Sequence, residues 1–266
     1  MNWKTITSVI VLCGIAGTAS AVGNLADVTV YDRAQGRTLP VYQYEGRHYV
    51  VGKPGSEYQI RVRNRSGADV LAVMSVDGVN VVSGETADWS QTGYVLGRYQ
   101  GFDVKGWRKS MERTAAFFFT EHENSYAART GRPHNVGVIG VAMFRKKPEP
   151  DAFIQRDRRS DSRREAPGAD SSAGAAAEGS APRAAAADSV AGPQMAEKST
   201  SLGTGHGRSE ASRVTYTSFE RATLHPEEVI AIHYDTYSNL LAMGVIRAPQ
   251  IARPTPFPGQ FVPDPR

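Results

Sequence analysis

Short runs of alternating apolar and polar residues fill the chain from about residue 25 to 147. In the run EYQIRVR, the residues Tyr58, Ile60 and Val62 fall on one face and polar side chains on the other. This period of two is typical of a strand with one buried face. Many short strands with turns at short intervals predict a mainly β fold, either an antiparallel β-sandwich of the immunoglobulin-like type or a small barrel.

The run VMSVDGVNVV predicts a β-hairpin. An Asp-Gly pair favours a two-residue type I′ turn, so Asp77 and Gly78 form the predicted turn, and Val76 faces Val79. A catalytic interpretation of Asp77 would need a nearby base or metal, and no histidine lies in this stretch. Backbone geometry already explains an aspartate at the first turn position, so we interpret the stretch as structural.

The composition changes after the predicted β-sandwich domain, residues 22–147. Between Ile154 and Thr215 there is no Phe, Tyr or Trp, and Ala, Gly, Ser and Pro dominate. Such a segment buries too little apolar area to offset its ordering entropy, so residues 148–212 are predicted to be a disordered linker. Apolar runs return at 213–247 and predict a short C-terminal β segment. This segment is too small to stand alone, so we expect it to dock on the sandwich, in the same chain or in a partner.

The two ends of the chain have characters of their own. Residues 1–21 combine Lys4, an apolar stretch and the small residues Ala19-Ser20-Ala21, the three-part pattern of a cleaved secretory signal. The pattern predicts export to the periplasm or the exterior, with no transmembrane segment after cleavage. The last residues, 248–266, are rich in proline and predict an extended polyproline tail.

Composition excludes several kinds of site. The only cysteine, Cys13, lies in the predicted signal, so the exported chain is expected to hold no disulfide and no zinc-thiolate centre. The formal net charge of +4 is mildly basic and permits weak attraction to anionic surfaces. The mixed-charge run RDRRSDSRRE carries acidic residues and no aromatic side chain, so we interpret it as solvated linker and expect no nucleic-acid partner.

Motifs for catalysis, metals and cofactors fail on inspection. Trp107 stands where a phosphate-binding loop needs lysine, and Tyr126 stands where a zinc-binding helix needs its second histidine. GTGHG follows predicted disordered chain rather than a strand, which argues against dinucleotide binding. His233 lies in an apolar run and is interpreted as a partly buried histidine. We therefore predict no catalytic residue, no metal site and no cofactor.

Two loops carry the remaining candidates for ligand binding. Guanidinium groups on loops bind carboxylate, phosphate or sulfate, although surface charge with capping roles explains the same residues. The candidates are Arg129, Arg132, His134 and Asn135 in one loop, with Arg108 and Lys109 in a loop that is a possible neighbour.

The blocks 54–86, 106–133 and 135–144 resemble a family of uncharacterised exported proteins of Gram-negative bacteria, and 201–207 with 227–246 resemble the C-terminal part of that family. The resemblance covers the predicted folded portions and implies an envelope location, with no activity. The leading expectation is an exported, non-enzymatic protein that binds an envelope protein or an anionic polymer. The alternatives are a hydrolase of cell-wall or surface polymer, and a structural tether of the envelope.

Overall fold

The computed structural model describes residues 21–148 and 201–248. The predicted signal, most of the predicted linker and the proline-rich tail lie outside these described residues. Residues 21–146 and 201–248 belong to one compact unit, although about 50 residues separate them in sequence. The C-terminal segment therefore docks within the same chain.

The described residues are organised mainly as β-strands, with two short α-helices and two 3-10 turns, His122–Asn124 and Pro133–Asn135. The strands are β1 Ala26–Asp32, β2 Arg37–Thr38, β3 Val41–Tyr44, β4 Arg47–Val51, β5 Glu57–Asn64, β6 Val70–Val76, β7 Val79–Asn80, β8 Tyr94–Leu96, β9 Gly101–Val104, β10 Gly106–Arg108, β11 Arg113–Glu121, β12 Val138–Arg145, β13 Leu202–Ala211 and β14 Glu228–Asp235. The helices are α1 Tyr126–Arg129 and α2 Tyr237–Ala242.

The strands form two seven-stranded sheets that pack face to face. Sheet A runs in the order β10-β11-β5-β1-β2, with β13 on β11 and β9 on β5. Sheet B runs in the order β3-β4-β14-β12-β6-β7, with β8 on β6. The predicted mainly β fold is confirmed. The alternative of a small barrel is wrong, because the two sheets do not close on each other.

The core lies between the two sheets and follows the predicted alternation. In β5, Tyr58, Ile60 and Val62 are buried, and in β11 Phe117 and Phe119 are buried beside them. The ring of Tyr58 stacks on that of Phe119 with centroids 4.3 Å apart. Burying each large apolar side chain contributes about 1.5–3 kcal/mol, so these alternating faces hold the sandwich together.

The predicted hairpin is confirmed in its register. Ser75 pairs with Asn80, and Val76 pairs with Val79. Asp77 and Gly78 have φ values of 54° and 71°, the two positive values that a type I′ turn requires. A side chain at position 78 would also collide with Asn135, since a Cβ atom there would lie 2.7 Å from the Asn135 Cβ.

The C-terminal segment differs from its predicted form in two ways. Residues 202–211, assigned to the disordered linker by composition, form β13 and pair along the whole of β11. Strand β14 lies between β12 and β4, antiparallel to the first and parallel to the second. Sheet B is therefore mixed rather than purely antiparallel. Parallel neighbours need a long connection, and the chain between β4 and β14 provides it.

The other two apolar runs of the C-terminal segment are not strands. Residues 213–220 are irregular, and the run NLLAMGVI forms α2 and the turn after it. Thr236 caps α2 by accepting a hydrogen bond from the Asn239 amide at 3.2 Å, and Leu240 packs against Tyr49 on the outer face of sheet B. A short apolar run does not distinguish a strand from a helix. Within the described residues, no helix has the length and apolar character that crossing a membrane requires.

A buried carboxylate joins the hairpin turn to the C-terminal segment. Asp77 is fully buried. Its Oδ1 accepts hydrogen bonds from the Tyr234 hydroxyl at 2.5 Å and the Gly137 amide at 2.9 Å. Its Oδ2 accepts one from the Thr204 amide at 2.8 Å. The side chain of a turn residue in the N-terminal part thus satisfies donors from both β13 and β14.

The network continues beyond the carboxylate. Thr204 Oγ1 lies 2.6 Å from the Tyr234 hydroxyl and 2.7 Å from the Tyr58 hydroxyl. An ionised carboxylate only accepts hydrogen bonds, so the protons point along one direction, from Tyr58 through Thr204 and Tyr234 to Asp77. Burial, together with the Asp77 charge, raises the pKa of both tyrosines well above its ordinary value, which keeps them protonated as donors.

Burial raises the pKa of Asp77 from the ordinary 3.8 to about 6, and the hydrogen bonds from Tyr234 and from backbone amides oppose this rise. Because the pKa is higher in the folded than in the unfolded chain, the folded state binds the proton more tightly. The stability that this proton contributes is fully present below about pH 3.8 and is lost as the pH rises through about 6.

Truncation after Lys147 should abolish the stable fold, because it removes β14 from between β4 and β12 and leaves both strands with unpaired edges. Thermal unfolding followed by circular dichroism should show loss of the cooperative transition, and a peptide of residues 201–248 should restore it in part. Truncation after residue 248 is the control and should melt like the full chain. An unchanged melting temperature after truncation at Lys147 would contradict the central position of β14.

Asp77→Asn should remove the buried charge and keep the turn, because Asn-Gly also favours a type I′ turn. The amide replaces the acceptor of the Thr204 N–H by a donor, so the variant should be less stable at acidic pH, by about 1–3 kcal/mol. From about pH 4 to about pH 7 the wild type should lose up to about 3 kcal/mol relative to the variant. Denaturant unfolding of both proteins at several pH values measures this difference. If the free energies of unfolding of the wild type and the variant differ by the same amount at every pH, the prediction is wrong.

Candidate functional site

A groove of about 790 Å³ lies at one side of the sandwich. We call it the basic groove. Three stretches of the N-terminal part and one stretch of the C-terminal segment line it. The lining residues are Val82, Ser83, Thr92, Gly93, Tyr94, Val95, Leu96, Gln100, Phe102, Arg108, Lys109, Ser110, Met111, Arg213, Val214, Thr215, Tyr216 and Thr217.

Aromatic side chains form much of the apolar lining. Tyr94 on β8 and Phe102 on β9 contact each other with ring centroids 4.9 Å apart. The chain that leads into β8 lies very close to β6. A Cβ atom at Gly93 would come within 2.2 Å of the Ala72 carbonyl oxygen, so only glycine fits there. Tyr216, in the stretch of the C-terminal segment that lines the groove, is 89% exposed. Tyr94 is buried, whereas the half-buried Phe102 and the exposed Tyr216 offer faces on which a ligand can stack.

Arg108 fixes the C-terminal wall of the basic groove. Its Nη1 donates to the Ser212 carbonyl at 2.7 Å, and its Nη2 donates to the Ser212 hydroxyl at 3.0 Å. Its Nε donates to the Tyr94 hydroxyl at 3.1 Å. Burial raises the pKa of Tyr94, while Arg108 opposes the rise. Most donors of Arg108 are therefore used within the protein, and its role is to attach residues 212–214 to β8.

The charge of the basic groove is not balanced by its own lining. Arg108, Lys109 and Arg213 are cationic, and no Asp or Glu occurs among the lining residues that the structure describes. Neither Lys109 nor Arg213 forms an ion pair with another described residue. Uncompensated cations beside aromatic faces suit an acidic ligand that also has apolar or ring surface.

A second concave surface, of about 370 Å³, has balanced charges instead. Arg145 donates to Glu227 at 2.6 Å. Glu228 accepts hydrogen bonds from the Asn24 and Leu25 amides at 2.6 and 2.7 Å. These groups are engaged with each other, so this surface is explained by the attachment of residues 22–25 to β14.

The structure separates the six residues predicted as ligand-binding candidates. Arg108 and Lys109 line the basic groove, whereas the four from the other loop do not. Arg132 donates to the Gly84 carbonyl at 3.1 Å and to the Thr130 hydroxyl at 2.9 Å, which is a structural role.

The remaining three candidates lie in and after α1. Arg129 is the last residue of α1, and His134 and Asn135 belong to the 3-10 turn that follows. Asn135 packs against the hairpin turn at Gly78. The charge of Arg129, like that of Lys109, lowers the pKa of His206, in addition to the larger effect of burial.

Sequence reasoning missed Arg213 and the aromatic lining of the basic groove. It also treated Asp77 only as a turn residue, although its buried carboxylate holds β13 and β14. The described part of the chain contains no group of three or more His, Cys, Asp or Glu residues arranged to hold a metal ion. His233 is half-buried, its ring 5.3 Å from that of Tyr49, and its pKa is lowered by burial and by Arg47.

Comparison with known proteins finds no family model, no curated protein and no solved structure that matches this chain. The resemblance to a family of exported proteins stays a prediction, and the site has to be interpreted from its own geometry.

Proposed function

We propose that this protein is an exported, non-enzymatic β-sandwich protein whose basic groove binds an acidic glycan of the cell envelope. The observation that carries the proposal is a groove of about 790 Å³ lined by three cations and several aromatic rings, with no carboxylate in its lining. Carboxylate or phosphate groups of a glycan would pair with the cations. Its sugar rings would lie on the aromatic faces.

An acidic glycan is favoured over an acidic protein by the shape and composition of the groove. The lining mixes hydroxyl groups, rings and cations along an open groove rather than forming one deep apolar pocket. A protein partner is usually held by a buried apolar or aromatic centre surrounded by a polar rim. The hydroxyls of Ser83, Ser110 and Thr217 line the groove. Those of Ser83 and Ser110 accept hydrogen bonds from the Glu85 and Glu112 amides and can still donate to a polyhydroxylated ligand.

The start of the folded chain supports the export part of the proposal. Val22 is 7% exposed and exchanges two backbone hydrogen bonds with Val28, at 3.0 and 2.9 Å. Ala21, immediately before it, is exposed. Cleavage after Ala21 would therefore leave the packed Val22 in place and would remove only an exposed residue from the described part of the chain.

The hydrolase alternative needs convergent carboxylates or a hydroxyl paired with a histidine. The described lining of the basic groove contains hydroxyl groups but neither a carboxylate nor a histidine, so binding is favoured over hydrolysis. The tether alternative rests on the predicted linker, most of which lies outside the described residues.

N-terminal sequencing of the protein purified from the envelope fraction of its natural host should give Val22 as the first residue. The expectation follows from the exposed Ala21 and the packed Val22. Replacing Ala19 and Ala21 by lysine should block cleavage, and replacing Ala34, outside the signal, is the control. An intact Met1 on the mature protein would contradict export by cleavage.

The mature chain should bind a polyuronate, such as polygalacturonate, and should not bind a neutral dextran of the same length. Arg213→Gln should weaken binding about tenfold, which corresponds to about 1.4 kcal/mol. Tyr216→Ala should weaken it by a similar factor through loss of a stacking face. Isothermal titration calorimetry at two salt concentrations measures these effects, since charge pairing weakens as salt rises.

Arg63→Gln is the matched control for Arg213→Gln, because Arg63 is an exposed arginine of β5 outside the groove. The control should bind like the wild type. Equal affinity of the wild type and both groove variants for polyuronate would show that the basic groove is not the binding site.

A further inference from the structure

A cluster of rings and cations lies at the end of the sandwich where α1 covers the edge of β13. The ring centroids of Tyr126 and His206 are 5.4 Å apart, and those of Trp107 and Tyr126 are 4.9 Å apart. The rings of Trp107 and His206 are nearly parallel, at 11°, with centroids 6.3 Å apart. We call this the His206 cluster, which consists of Trp107, Tyr126, His206, Lys109 and Arg129.

Two separate stretches bring the cations to this cluster. Lys109 follows Trp107 by two residues, and Arg129 follows Tyr126 by one helical turn in α1. Both charges act on His206, and Lys109 also lines the basic groove. The cluster is thus connected to the groove through a shared residue.

The charged groups that act on His206 are Lys109 and Arg129. Strand β11 presents Phe117 opposite His206, and α1 presents Tyr126 and Arg129. Burial lowers the pKa of His206, and the charges of Lys109 and Arg129 lower it further, with no carboxylate among the causes. Arg208, two residues along β13, is paired with Glu57 at 2.8 Å.

Beyond Tyr126, the guanidinium of Arg132 lies 5.9 Å from the ring centroid. Among the described residues, none of Lys109, Arg129 and Arg132 forms an ion pair with a carboxylate.

A buried donor in the cluster also has no acceptor. Trp107 is 3% exposed, and within the described part of the chain its Nε1–H has no hydrogen-bond partner. A buried polar group without a partner is costly. Cations that repel each other are costly as well. An anion would offset the repulsion between the cations. If its oxygens reached the indole N–H, which is shielded from solvent in the free protein, the anion would satisfy that donor as well.

We infer that the His206 cluster is an oxyanion subsite that holds an acidic group of the ligand bound along the basic groove. The inference rests on the proposed function for the identity of the whole ligand, but the subsite itself requires only an oxyanion. His206 is exposed and can exchange protons with solvent, so the imidazolium adds a third cation when the pH falls. The affinity of the subsite therefore rises as the pH falls through the pKa of His206.

The test titrates the imidazole of His206 by NMR in the mature protein, without ligand, with galacturonate and with inorganic phosphate. A bound oxyanion should raise the pKa of His206 by about one unit, which by linkage means about tenfold tighter binding to the protonated form. A shift with galacturonate alone identifies a carboxylate subsite, and a shift with phosphate alone identifies a phosphate subsite. A pKa that neither anion moves overturns the inference.

Arg129→Gln distinguishes a binding role from a structural one. Removing this cation should raise the pKa of His206 in the free protein and should weaken the anion about tenfold. Arg63→Gln is the control and should change neither quantity. Anion shifts that are the same in Arg129→Gln as in the wild type would refute the subsite.

The two proposals fail in different ways. If polyuronate binding depends on Arg213 but small anions leave His206 unchanged, the basic groove stands and the subsite is wrong. If small anions shift His206 but polyuronate does not bind, the subsite stands and the proposed glycan ligand is wrong.

Discussion

The position of β14 inside sheet B is the constraint on which the rest of the structure depends. Ile230, Ile232 and Tyr234 are buried between the sheets, so both neighbouring strands obtain their hydrogen bonds and part of their core from residues near the C-terminal end. The Asp77 carboxylate then couples this packing to a polar network, because it accepts hydrogen bonds from Gly137, Thr204 and Tyr234. Loss of any one partner would leave a buried polar group unsatisfied, which costs about 1–3 kcal/mol.

Local sequence patterns were sufficient to predict most strands, but they did not predict which strands pair with each other. The alternation at Tyr58, Ile60 and Val62 and the Asp-Gly turn are properties of neighbouring residues, and both predictions are confirmed. The pairing of β14 with β4 depends on residues about 180 positions apart, which periodicity does not report. Strand β13 was missed because its glycines resemble linker composition. Gly205 instead makes room for Phe118, whose ring atoms would lie 2.2–2.7 Å from a Cβ atom there.

The residues of the candidate site also divide into those that the sequence predicted and those that only the structure revealed. Residue type alone pointed to Arg108 and Lys109, and the structure places both in the basic groove. It did not point to Arg213, because the run that begins there was interpreted as a strand. His206 lies within a glycine-rich motif that was rejected for dinucleotide binding, and its proximity to Lys109 and Arg129 arises only when β13 pairs with β11. Chemistry that depends on residues from three distant segments has no signature in any one of them.

The order of the strands along the chain has a consequence for how the molecule is made. Strand β14 follows every other strand of the described residues in sequence, yet it lies between β12 and β4. Sheet B therefore stays incomplete until residues 228–235 have been synthesised. A polypeptide that cannot complete its tertiary structure early stays unfolded for longer. If the predicted signal at residues 1–21 directs export, this late completion of the fold would help the chain to stay unfolded until it is translocated.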